Sequence, residues 1–384
     1  MSKSFDTIVL GVGGVGSAVL SHLARRGRSV LGLDRFPPGH DRGSSHGQTR
    51  LIRQAYFEHA DYVPLLKRAY TQWDELSQQC GKKLFHRVGV LQVGPREGRI
   101  LPGVLASAQQ HGLAVEELTP DQLVQRFPEF QVPGSLGAVF EQNAGYLCVE
   151  DCVLAQVDQA VKYGATLQTG ETVLGWRDDA GGVRVQTDRD TYLANSLVIA
   201  AGAWARDLLS DLNIGLEVAR KPVYWFAAPD SYDESQGTPG FIFETPAGNF
   251  YGFPRRGASG LKTAEHSGGD SVGDPLLVDR NEHPADTQLI KEFLRDYLPG
   301  VTDQQIGFSV CLYTLSPDRQ FILDQHPQHP QVSFAAGLSG HGFKFVNVLG
   351  EALADLAEKR STTLPVGFLN CRRPSLFASG APVK

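Results

Sequence analysis

The sequence contains no apolar run approaching the roughly 18 residues that a membrane helix needs, so it predicts no membrane span. Excess positive charge is missing as well. Its 36 Lys and Arg against 42 Asp and Glu leave a net charge of −6, with no bulk attraction to nucleic acid or an anionic membrane. Cysteines at metal-ligand spacing are also lacking. Cys80, Cys148, Cys152, Cys311 and Cys371 are odd in number, and the CxxxC of Cys148–Cys152 has no second pair or His pair nearby. That usage fits a reduced, cytoplasmic compartment and predicts no metal site. There is no low-complexity tract and no internal repeat. A glycine turn interrupts the first apolar stretch, which excludes reading it as a signal peptide. What remains is a globular composition, 41% hydrophobic and 20% charged over 384 residues, enough for two or three domains and a large core.

The most informative segment is the start. Phe5–Leu10 is a β-rich run that leads straight into Gly11, Val12, Gly13, Gly14, Val15 and Gly16. Apolar residues at helical spacing follow from Ser17 to Arg26, Gly27 can stop that helix, and a second strand ends at Asp34. In such a unit Gly11 permits a tight turn. Gly13 lets backbone approach a pyrophosphate, and Gly16 lets helix and strand pack closely. The helix N-terminus offers free N–H groups, and Asp34 stands where a carboxylate can accept from a ribose. This context predicts a dinucleotide site. The alternative is a glycine-rich turn in some other α/β protein, and the motif does not choose FAD over NAD.

Further along, helices are expected over Asp61–Gln79, Arg99–Gln110, Thr119–Arg126 and Asp151–Tyr163, the last led in by acids. Phe85–Val93 reads as a strand run. Short strands at Thr166–Leu167, Thr172–Arg177, Val183–Thr187 and Thr191–Leu193 suggest a small meander, and Leu197–Gly202 a separate apolar strand ending in Gly. From Val218 to Ser309, strands between Gly/Pro turns dominate, interrupted by a helix at Ala285–Tyr297. This reads as an antiparallel-sheet domain inserted into a dinucleotide domain. A second strand–glycine turn–helix unit, Gly337–Lys344, repeats the logic of the first more than 300 residues later. The fold class expected is α/β (α+β): a Rossmann-like domain, discontinuous in sequence, plus an antiparallel-sheet substrate domain. Residues 1–85, 147–216 and 315–370 are assigned to the first, 86–146 and 217–314 to the second, and 371–384 to a C-terminal tail.

Several of these segments jointly resemble the monomeric sarcosine oxidase and N-methyltryptophan oxidase family of flavin amine oxidases, within the D-amino acid oxidase-like superfamily. The carriers are GVGGVG at Gly11–Gly16, GSSHGQTRLIRQAY at Gly43–Tyr56, YGFP at Tyr251–Pro254, LK…H at Leu261–His266, CLYT at Cys311–Thr314 and AAGLSGHGFKF at Ala335–Phe345. The resemblance covers nearly the whole chain. It implies FAD attached through its 8α-methyl group to the thiol of Cys311, and a monomer acting on a secondary amino acid and oxygen. One departure stands out. The family's usual GSHHGDTR is GSSHGQTR here, with Ser45 and Gln48 in place of a His and an acid, which bears on flavin attachment and substrate preference.

What the resemblance implies for individual residues follows from the chemistry. A substrate carboxylate needs buried cations, and Arg53 and Lys344 match the family's pair. Oxygen acquires negative charge beside the flavin, and Lys262 matches the lysine placed to stabilise it. His266 and Tyr251, with Tyr313 beside them, match polar residues that orient the amine. Cofactor contacts are expected from Asp34, Arg35, Gly43, Ser44, His46, Thr49, Arg50, Val173, Gly202, Gly340, Gly342, Phe343 and Lys344. The expected reaction oxidises the C–N bond of a secondary, N-methyl amino acid such as sarcosine, giving an imine and hydrogen peroxide. Other readings keep the chemistry but take N-methyltryptophan, pipecolate or proline, or a fructosyl amino acid. Another replaces oxygen by an electron carrier, and a last one is a binding protein that retains the cofactor fold.

Overall fold

The computed structural model describes residues 3–358 and 361–377. Lys3–Leu10 lies inside an eight-stranded sheet. It pairs in parallel with Val30–Asp34 on one side and Thr191–Ile199 on the other, and Thr166–Thr169 and Val332–Ala336 extend the parallel part. Helices Gly14–Arg25, Val149–Lys162 and Val346–Ala357 share one apolar core with these strands. The strands are short continuous apolar runs because both faces are covered.

The second sheet has nine strands drawn from Val90–Leu118, Leu136–Glu141 and Glu217–Leu315. Alternation along its strands sends side chains to two different environments. On one face Phe241, Phe243 and Phe250 pack against helix Pro284–Tyr297, with Phe293 stacked on Phe250 at 4.3 Å. The other face carries Gln92, Ile242, Tyr251 and Ala264 as one row of paired residues, and Phe253, Lys262 and Trp225 as the next. That polar-studded face belongs to the site described below.

Three expectations change. Phe85–Val93 is not one strand: Gly89, at φ +75°, separates Phe85–His86 from Val90–Pro95. Thr191–Leu193 and Leu197–Gly202 are not separate strands. They belong to the continuous strand Thr191–Ile199, whose first half pairs with the meander while its last three residues pair with Val332–Phe334. The segment set apart as a tail is packed at its start. Cys371 and Leu376 are buried, Cys371 N–H donates to Asp324 Oδ2 at 2.9 Å, and Arg373 pairs with Asp318 at 2.6 Å. Ala378–Lys384 lies outside the described residues. Among the described residues, no helix is long and apolar enough to cross a membrane.

Candidate active site

The parallel strands end on a single cavity of about 1070 Å³. Gly11, Asp34, Ala200 and Gly337, each at or just past the C-terminal end of a strand, line it. This is the edge where doubly wound sheets bind ligands. Gly11 has φ +84°, and a Cβ there would lie 2.6 Å from Ala200 O. At Gly16 a Cβ would lie 1.8 Å from Gly11 O, so no other residue lets the helix start this close to the strand. Asp34 Oδ2 accepts from Val12 N–H at 2.6 Å and Oδ1 from Phe36 N–H at 2.9 Å, which fixes the carboxylate at the cavity wall. Helix Gly14–Arg25 has no acid in its first turn, which leaves its positive end available to an anion.

Buried polar atoms on the same wall lack partners: Arg35 Nη1, Trp204 Nε1 and Thr314 Oγ1. On a cavity wall such groups can be satisfied by a bound ligand or by water. Cavity size, glycine cradle and orphan donors all fit a dinucleotide with a small molecule beside it. Gly13, Gly14, Val15, Arg35, Gly43, Ser44, Arg50, Val173, Gly202, Gly340, Gly342, Phe343 and Lys344 line the cavity. Val12, Gly16, His46, Thr49, Lys262 and Cys311 do not; the first two shape the turn, and the other four gather around Gly47.

That second group is tightly built. Strand Gln305–Leu315 places Cys311 opposite Lys221 on the same sheet that carries Lys262. Arg50 Nη2 donates to Cys311 Sγ at 3.2 Å, and His46 Nδ1 is 3.9 Å from that sulfur. Lys262 is 2% exposed and donates to Gly47 O and to Thr49 O, the latter at 2.9 Å. It is therefore no solvent-exposed strand lysine. A Cβ on Gly47 would stand 3.7 Å from Cys311 Sγ, Lys262 Nζ and Arg50 Nη1 alike. Burial alone would push the Cys311 thiol up, but Arg50, His46 and Lys262 outweigh it and bring its pKa down to about 6. Burial, and then Arg50, holds Lys262 well below the ordinary lysine value. In cofactor-free protein, thiolate absorbance referenced to a Cys311→Ser variant should titrate with a midpoint near pH 6. Arg50→Leu should move that midpoint up.

At the far end of the cavity Arg53 is buried, with Nη2 donating to Glu58 at 2.9 Å and Nε to Gln92 Oε1 at 3.1 Å. Burial opposes the Glu58 charge, but Arg53 overrides it and holds the carboxylate at about 2. Lys344 donates to His341 O at 2.7 Å, and burial together with Arg53 lowers it to about 7. The Tyr56 ring serves both cations, with Arg53 at 4.5 Å and Lys344 at 5.2 Å from its centre. Tyr251, His266 and Tyr313 line the same end, with His266 Nδ1 3.3 Å from Tyr313 OH. Burial, and then Lys221, lowers His266 to about 3, so its ring is neutral near pH 7.

Sequence reasoning missed three residues here. Glu58 and Gln92 belong to no motif; the only available signal was that a buried arginine needs acceptors. Glu150 was visible only as an acid leading a helix. Its carboxylate accepts from Gly47 and Gln48 N–H at 2.7 and 3.0 Å, holding the turn in which Gln48 adopts φ +70°. The two departures from the family loop also find contacts. Ser45 Oγ accepts from Gly14 N–H at 3.1 Å, and Gln48 Oε1 from Trp225 Nε1–H at 3.1 Å. Asp211, His326 and His329 cluster at the rim of the same cavity, which Asp211 and His329 line. There His326 Nδ1 accepts from Gln328 N–H, whereas a metal-bound imidazole donates from its second nitrogen.

The chain is 38% identical to a monomeric sarcosine oxidase from Bacillus sp. (strain B-0618), over 99% of this chain and 98% of that protein. It is 37% identical to an N-methyl-L-tryptophan oxidase from Yersinia pestis (strain Pestoides F), over 96% and 99%. Among solved structures, the open form of NikD, an amino acid oxidase of nikkomycin biosynthesis, superimposes with a TM-score of 0.85 at 28% identity, covering 96% of this chain and 98% of that one. The glycine cradle, the fixed Asp34 and the orphan donors thus have a family context: with residues 6–356 matching, the chain belongs to the FAD dependent oxidoreductase family.

Proposed function

We propose that the protein is an FAD-dependent amine oxidase acting on secondary, N-methylated amino acids. The observation that carries this reading is one cavity joining the nucleotide cradle to a buried Arg53–Lys344 pair, with Tyr251, His266 and Tyr313 alongside. Its similarity to sarcosine and N-methyl-L-tryptophan oxidases points the same way. Bound FAD would supply the two-electron acceptor, which side chains cannot provide.

The chain's own residues do the rest. Arg53 grips the substrate carboxylate with its planar fork, and Lys344 adds a point charge. The incoming carboxylate restores the charge that burial takes from Lys344. Glu58 already pairs with Arg53, so substrate shares or displaces an existing ion pair. A neutral His266 and the Tyr251 and Tyr313 hydroxyls orient the amine as its free base, the form able to release a hydride equivalent from the adjacent carbon. The resulting imine hydrolyses to an amine and an aldehyde; oxygen takes two electrons and two protons to become hydrogen peroxide. Lys262 and Arg50 face the charge that develops on oxygen. Arg35, Asp34, Gly43, Ser44 and Val173, which line the cavity, would contact the cofactor, with His46 and Thr49 behind that wall beside Cys311 and Lys262.

Cys311 would hold the flavin through its 8α-methyl group; exchanging a C–H for a C–S bond releases two electrons and two protons, which the flavin itself would take up and then pass to oxygen. A thiol held at about 6 is largely thiolate at neutral pH, the form that attacks an electrophilic carbon. The wild-type protein should keep its yellow colour in the pellet after acid precipitation, and Cys311→Ser should release it into the supernatant. Equal release from both would contradict the attachment. Five unpaired thiols fit a reducing, cytoplasmic setting, and the likeness to monomeric sarcosine oxidases favours a monomer.

Oxygen is preferred over an electron carrier as acceptor because a buried cation at Lys262 serves no purpose in handing electrons to a docked partner. Oxygen uptake and peroxide formation over sarcosine, N-methyltryptophan, pipecolate, proline and a fructosyl amino acid test the reading. The expected result is one peroxide per substrate consumed with at least one N-methyl amino acid. Turnover only with an artificial dye would assign a dehydrogenase instead.

A further inference from the structure

Beside Arg53, the cavity wall turns apolar. Ile100 and Ile242 are buried there, with Leu51, Phe57 and Tyr251 packed against the same cluster. The Arg53 guanidinium lies 4.4 Å from the Phe57 ring centre, so this wall begins where a substrate carboxylate would be held. Sarcosine, which has no side chain, would leave the wall uncovered.

A further polar side chain lines the cavity beside this wall. Asn249 sits two residues before Tyr251 on strand Gly248–Phe253, on the same face, and lines the cavity. Its backbone is fully used: the N–H donates to Ser267 Oγ at 2.9 Å and the carbonyl accepts from His266 N–H at 2.6 Å. Its side-chain amide makes no hydrogen bond to any described residue. Its cross-strand partner, Glu244, is committed elsewhere, accepting from Arg99 and Ile100 N–H at 3.0 and 2.9 Å. Thus the residue opposite cannot satisfy Asn249, and the amide is left to a ligand or water.

We propose that Phe57, Ile100, Ile242 and Asn249 form a side-chain subsite, and that the preferred substrate is an N-methyl amino acid with a bulky apolar side chain bearing a hydroxyl at its outer end. This rests on the reading of the cavity as a secondary amino acid site and adds to it the substrate's side-chain class. Asn249 acts as a specificity residue: its amide pairs with that outer group while the apolar wall covers the body of the side chain.

N-methyltyrosine and N-methylphenylalanine differ by one hydroxyl and test this directly. Wild-type kcat/KM should favour N-methyltyrosine by about fivefold, the worth of one net hydrogen bond, and both should exceed sarcosine. Asn249→Leu should bring the tyrosine-to-phenylalanine ratio close to one, and Asn249→Ser, which retains a short hydroxyl, provides a second variant should the first not fold. Because each ratio is taken within one protein, a general loss of activity cancels. An unchanged ratio in the variants, or sarcosine as the best of the three in the wild type, would overturn the subsite. Failure of all three substrates to reduce the cofactor would overturn the amino acid oxidase reading as well.

Discussion

Replacing Lys262 by Met should slow reoxidation of the reduced protein by oxygen by about 10²–10³-fold, the usual effect of removing one preorganised charge stabiliser. Reduction by substrate should stay within about threefold. The asymmetry follows from where Lys262 sits. It is buried among Gly47 O, Thr49 O and the Trp225 and Phe253 rings, and it does not line the cavity wall that carries Arg53 and Lys344. Its Nζ–H donors are held in place by Gly47 O and Thr49 O before oxygen arrives, so little of the stabilisation is lost to reorganisation. The Met side chain fills similar space but removes two donations, while Gly47 O still accepts from Thr49 N–H at 2.8 Å and Thr49 O from Arg50 Nη1 at 2.9 Å, so the stability cost is about 0.5–1.5 kcal/mol for each lost bond. A thermal unfolding curve separates that cost from the kinetic effect. Rapid-mixing traces in which both half-reactions slow equally would contradict the assignment.

Arg53→Ala should lower kcat/KM for amino acid substrates by about 10²–10³-fold, the loss of a bidentate charged contact in a buried site. The variant has a second, separable consequence. Glu58 is held at about 2 by Arg53. Without it, burial dominates and the carboxyl takes up a proton at higher pH. Removing one partner of a buried pair costs about 3–5 kcal/mol of stability. That loss should shrink as pH falls, because a protonated Glu58 no longer needs its cation. The double variant Arg53→Ala with Glu58→Gln should therefore regain stability but not activity. Recovery of activity in the double variant would show that Arg53 serves Glu58 rather than substrate.

The parts of the site legible in the sequence are those where backbone geometry dictates residue type. Gly11 and Gly16 are required by a turn and a close helix approach, so their spacing carries the message without any tertiary knowledge. Asp34 was legible because it ends the next strand. The strand carrying Cys311 and Tyr313 was not. Val310–Thr314 is buried throughout, so its sequence shows no alternation to reveal which residues face the site. Resemblance to a family, rather than pattern, singled out these two. Gln92 and Glu150 escaped notice because their partners lie 39 and 103 residues away, and Glu58, five residues after Arg53, sits in a loop with no periodicity to pair the two. The merged strand at Thr191–Ile199 was hidden by Asn195-Ser196, a polar step explained by the Ser196 Oγ contact to Thr7 Oγ1 at 2.9 Å.

The central claim, that one cavity holds FAD and a secondary amino acid in reacting contact, is tested most directly by anaerobic titration of the purified yellow protein with N-methyl amino acids. The expected result is loss of the oxidised flavin band at one substrate per flavin, with the band restored and one peroxide formed when air is admitted. A flavin spectrum that persists through the whole N-methyl panel would contradict it.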